Sequence, residues 1–132
     1  MRLAGRLAGE LLDYLTPFVT PGISTNELDR LADAYTTGVQ GAISAPLNYA
    51  PPGHQPYPKA ICASINHQVC HGIPNDKPLK KGDSLNIDIT TIKDGWHGDT
   101  SRMFHVGEAS IAAKRLASLT YDAMWKGIEQ VK

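Results

Sequence analysis

The stretch from Asp83 to Val106 constrains this chain more than any other. Two β-rich runs flank the dipeptide Asp94-Gly95, which suits the positive φ angles that a two-residue hairpin turn demands. With those two residues as the loop, a hairpin over residues 84–106 pairs Lys93 with Trp96, Thr90 with Asp99 and Asp88 with Ser101. Facing residues share a side of a sheet, as do residues two apart on one strand. One face therefore carries Asn86, Asp88 and Thr90 beside His97, Asp99 and Ser101; the other carries Leu85, Ile87 and Ile89 beside Thr100, Arg102 and Phe104. Asp88 and Asp99 become diagonal neighbours with Cα atoms roughly 7–8 Å apart. Two converging carboxylates repel unless a proton or a cation lies between them, and no Lys or Arg stands on that face. A bound divalent metal is one reading. The other is a half-exposed hairpin whose outer face is simply polar, and the pattern alone leaves both open.

The apolar face of such a hairpin needs cover. Leu3, Leu7, Leu11 and Leu15 recur every fourth residue, with Leu12 adjoining, which predicts an amphipathic helix over about residues 2–16, ended by Pro17. Ser24 followed by Glu27 is a capping box, with Ile23 and Leu28 placed to staple it. A second helix is expected over residues 24–36, stopping before Gly38. Residues 42–45 and 59–65 read as short strands. Between them, Ala50 to Pro58 holds four prolines and a glycine and must be a surface loop. Ser110 caps a third expected helix over residues 110–131, and a chain that stops inside a helical pattern suggests that more belongs beyond it.

A chain of 132 residues with zero formal net charge makes one domain with a modest core. Lys77, Lys80 and Lys81 lie beside Asp76 and Asp83 and read as a solvated loop, so a nucleic-acid footprint is not expected. No apolar run is long enough to span a membrane, and the first residues lack the apolar core of a signal peptide. Cys62 and Cys70 make no disulfide framework, which fits a reduced, cytoplasmic location. Cys62, His67, Cys70 and His71 have poor spacing for zinc because Cys70 and His71 adjoin. A Cys70–His71 nucleophilic pair would point to opposite strand faces, and buried, inert cysteines are the simpler expectation. His71, beside the Gly72-Ile73-Pro74 break, is placed either to reach a pocket or to serve as an ordinary loop histidine.

Asn66-His-Gln-Val-Cys-His-Gly-Ile-Pro74, Asn86-Ile-Asp-Ile-Thr90 and Lys93-Asp-Gly-Trp-His-Gly-Asp-Thr-Ser101 together resemble the type I methionine aminopeptidases, as do Met1 to Ala8 and Pro21 to Asp29. The resemblance covers nearly the whole chain. It implies an α/β (α+β) architecture, the N-terminal half of a pita-bread fold, with an antiparallel sheet covered by helices. Residues 1–132 would then be a single partial domain. It implies two divalent metal ions (Co, Mn, Fe or Zn) in the complete enzyme, with Asp88 and Asp99 among their ligands. His71 would be catalytic and touch the substrate. Thr90 would orient the carboxylates, and Tyr49, Tyr57 and Cys62 would line a methionine pocket. The implied reaction is removal of the N-terminal methionine from nascent proteins near the ribosome, with the metals activating water and the scissile carbonyl. The chain departs from the family pattern at Pro46, where a Cys is common, and in a longer proline-rich loop. The family's further His and two Glu ligands have no counterpart here. A chain with two metal carboxylates is expected to bind metal weakly and to be inactive alone, with a second copy or a complementary fragment completing the fold. Two other readings stand beside this one: a noncatalytic half-domain that binds a protein partner, and a peptidase of different specificity.

Overall fold

The computed structural model describes residues 1–131. Its centre is the expected hairpin. Strands β3 (Ser84–Lys93) and β4 (Trp96–His105) pair antiparallel from Ser84 with His105 to Lys93 with Trp96. Asp94 and Gly95 take φ of 52° and 78°, so the left-handed turn sets the register that the sequence implied. Two shorter strands share the far edge of β3. Strand β1 (Ile43–Ser44) pairs with Thr91 and Ile92, and β2 (Cys62–Ile65) pairs with Leu85 to Asp88. All pairs are antiparallel, as expected for a mixed α/β chain built on a hairpin sheet.

Helix α1 (Arg2–Leu15) buries Ala4, Leu7, Ala8, Leu11, Leu12 and Leu15, the face its four-residue repeat defines. This face lies on Leu85, Ile87, Ile89 and Phe104 and forms one core with them. The approach is close enough that a Cβ on Gly98 would collide with the backbone of Ala4 and Gly5, so only glycine lets α1 settle on β4. Helix α2 (Thr25–Ala34) adds Leu28 and Ala32 to the core. Its N-terminus is half a capping box. The Ser24 hydroxyl accepts from Glu27 N–H at 3.1 Å, while the Glu27 carboxylate turns to Arg30 at 2.6 Å.

The structure alters several boundaries. Helix α1 runs on into a 3-10 turn at Thr16–Phe18, a conformation proline tolerates near its start. The end of α2 does not stop before Gly38. A wide π-type turn spans Tyr35–Val39, with Tyr35 stacked on Tyr14 at 4.2 Å and Thr36 buried. Tertiary packing thus carries the chain past a residue that reads as a helix breaker. The strand expected over residues 59–65 shortens to Cys62–Ile65, because Ala60 and Ile61 give their N–H groups to the Asp29 carboxylate at 2.8 and 3.2 Å. Helix α3 (Ile111–Ile128) is capped by Ser110 as expected but ends short of residue 131 and buries no residue. Leu116, Leu119, Met124, Trp125 and Ile128 all stay exposed, so α3 does not pack down on the sheet, although Ala117, Thr120, Tyr121 and Met124 share a cleft with Asn86 and Thr100 to Met103. Among the described residues, no helix is long and apolar enough to cross a membrane.

Candidate active site

Alternation along β3 and β4 puts Asp88, Thr90, His97 and Asp99 on the face turned away from α1. Across the other edge of β3, Cys62 pairs with Asp88 and so joins that face. The loop from Pro46 to Tyr57 folds over it. Asn48 donates to the Tyr57 carbonyl and Tyr57 to the Tyr49 carbonyl, each at 2.8 Å, which closes the proline-rich segment into a compact loop on a two-rung stem. The result is a cavity of about 780 Å³ lined by Tyr49, Tyr57, Cys62, His71, Asp88, Thr90 and Asp99. All seven residues singled out in the sequence therefore meet in one place, although they come from five separate segments.

Pro51, His54 and Gln55 of the proline-rich loop also line this cavity, as do Pro46 and His97. The strand alternation put His97 on the right face. Nothing local signalled His54 or Gln55, because a loop without periodicity does not reveal which side faces inward. Pro46, a departure from the family pattern, still stands in the wall.

Burial and the neighbouring Asp99 charge both raise the Asp88 pKa above the ordinary carboxylate value of 3.8, with His71 and the Ile89 backbone opposing. A carboxyl held up by a like charge is a place where a cation is favoured. Two hard oxygen donors suit a divalent ion, and the residues fit as part of a ligand set. Among the described residues no group of three or more His, Cys, Asp or Glu side chains could hold a metal ion. Asp88 and Asp99 by themselves offer two carboxylates, one fewer side chain than such a group has.

The cysteines divide. Cys62 is buried and Cys70 is exposed, which corrects the expectation that both are buried. After β2 the chain turns at Asn66 and His67 and has no strand through His71, and Asn66 and His71 both take positive φ. Burial is the first of several causes that push the Cys62 thiol up. It stays a thiol at neutral pH and serves as an apolar wall rather than a nucleophile.

A family model described as metallopeptidase family M24 matches residues 1–132. The chain is 58% identical over 132 residues to a curated methionine aminopeptidase of Rickettsia prowazekii, covering 100% of this chain and 49% of that protein. It is 51% identical over 133 residues to one from Escherichia coli K12, covering 48% of it. The crystal structure of the Rickettsia prowazekii methionine aminopeptidase superposes with a TM-score of 0.90 at 57% identity, over 96% of this chain and 49% of that one. The chain thus spans about half the length of the relatives it matches, and over that half it has their pita-bread fold. On the family match, the identities and the shared fold together, this chain belongs to metallopeptidase family M24.

Proposed function

We propose that this chain supplies one half of the active site of a metal-dependent aminopeptidase that removes the N-terminal methionine from nascent proteins in the cytoplasm. The observation that carries this reading is the convergence of Asp88, Asp99 and His71 in a cavity walled by Tyr49, Tyr57 and Cys62. Asp88 and Asp99 would hold divalent cations (Co, Mn, Fe or Zn), and Thr90, opposite Asp99 in the register, would orient the carboxylates. When bound, divalent cations supply Lewis-acid activation of water and of the scissile carbonyl. His71 would hydrogen-bond the substrate beside the scissile bond. Two tyrosine rings and a neutral thiol make a polarizable wall that suits a thioether side chain.

Two carboxylates fall short of the three protein ligands that a single catalytic cation usually takes. The other donors would come from residues outside this chain, in a longer polypeptide or a complementary fragment. The test is methionine release from a Met-Gly-Met peptide with cobalt or manganese. Full-length protein containing this chain should release methionine and lose that activity as Asp99→Asn, whereas the 132-residue chain alone should release none. Equal activity in the Asp99→Asn protein, or a preference for Xaa-Pro over Met-Gly peptides, would sink the reading.

A further inference from the structure

His71 reaches the cavity from a backbone that does not hold itself in place. Its φ of 54° lies in the left-handed region, which costs a non-glycine residue about 1 kcal/mol or more. Such a conformation persists only where its surroundings enforce it. The enforcement here falls on the next residue. The Gly72 N–H donates to the Ser64 hydroxyl at 3.1 Å. The Gly72 carbonyl accepts from the Ala63 N–H at 2.8 Å and from the Tyr57 phenol at 3.0 Å. A Cβ on Gly72 would collide with the Ala63 carbonyl, so the peptide lies flat against β2.

The Tyr57 phenol has one proton and two carbonyls within reach, Gly72 at 3.0 Å and Ile61 at 3.1 Å. It therefore ties the proline-rich loop, the start of β2 and the His71 segment together at one point. The ring of Tyr57 lines the cavity, while its hydroxyl reaches backbone carbonyls and lies beside the Cys62 side chain. Ser64 is only 3% exposed and does not line the cavity. Its hydroxyl therefore acts on the site only through Gly72.

We propose that the Tyr57 phenol and the Ser64 hydroxyl are positioning residues that clamp Gly72 to β2 and so hold His71 in its left-handed conformation, facing the substrate. This inference rests on the role proposed above for His71, and it gives Tyr57 a task beyond lining the methionine pocket. Tyr57→Phe keeps the ring and removes one bond; Ser64→Ala removes the other without touching the cavity wall. In full-length protein containing this chain, each substitution should lower kcat for Met-Gly-Met roughly 5- to 10-fold, the rate equivalent of about one lost hydrogen bond. KM should stay within about twofold. In the same proteins without metal, amide exchange should quicken roughly tenfold at Ala63 in Tyr57→Phe and at Gly72 in Ser64→Ala.

Unchanged kcat in both variants, or a raised KM with kcat intact, would overturn the proposal; the second result would make Tyr57 a pocket wall only. If the wild-type protein releases no methionine, the aminopeptidase reading fails by itself. The exchange measurement still decides the clamp, because unchanged protection at Ala63 and Gly72 would overturn it.

Discussion

Asp88 and Asp99 show how two like charges shape one site. A carboxyl whose pKa is raised on folding binds its proton more tightly in the folded state. Its contribution is therefore favourable at pH below the ordinary value of 3.8 and becomes a cost as pH rises through the folded value. In metal-free protein, Asp99→Asn removes one of the causes. It should lower the Asp88 midpoint in a carboxyl NMR titration and raise Tm at pH 7 by roughly 1–3 °C, a range discounted for the partial exposure of Asp88. A falling Tm would mean that Asp99 has a stabilising partner that outweighs the repulsion. Asp29 is the opposite kind of acid. Burial raises its pKa too, yet it anchors Ala60 and Ile61 just ahead of Cys62 and lies 3.7 Å from Lys59. Asp29→Ala should cost about 1.5–3 kcal/mol, because two backbone donors lose a charged acceptor; urea unfolding checks it.

At the level of elements, α1 and α3 are opposites. α1 buries six residues along one stripe, and its seat on β4 depends on Gly98. Gly98→Ala should cost about 1–3 kcal/mol, since either the helix must lift or the strand must bend. A midpoint unchanged in denaturant would show that α1 is not held that close. α3 has a sound N-cap, with Ala113 N–H donating to Ser110 at 3.1 Å, but no buried face. An 18-residue helix without tertiary packing is marginal in water. In the isolated 132-residue chain its amides should exchange at least tenfold faster than those of α1. Equal protection would mean that α3 has found cover, with self-association the first thing to examine by sedimentation.

Across the whole molecule, the cavity gathers side chains from the proline-rich loop, the His71 segment and three strands. The acid face carries Asp88 and Asp99 on one sheet, and the proline-rich loop and the His71 turn rim it on the β2 side. The relatives it matches are about twice as long. Methionine release that requires both this chain and further residues is the outcome expected at this scale, and release by the 132-residue chain alone would show that its copies complete one another.

Local chemistry alone determined the hairpin and its faces, since a turn that needs positive φ at Asp94 and Gly95 leaves one register, and alternation then separates acids from aliphatics. It also determined α1 and the Ser24 and Ser110 caps, because helix periodicity and capping act within a few residues. Tertiary structure decided the rest. The π-type turn at Tyr35–Val39 follows from Tyr35 stacking on Tyr14, and the short β2 from Asp29 reaching out of α2. The inward turn of His54 and Gln55, and the bond from Tyr57 to Gly72 across 15 residues, likewise join segments that no local pattern couples. Such contacts depend on where folded elements meet, and a sequence window records only its own propensities.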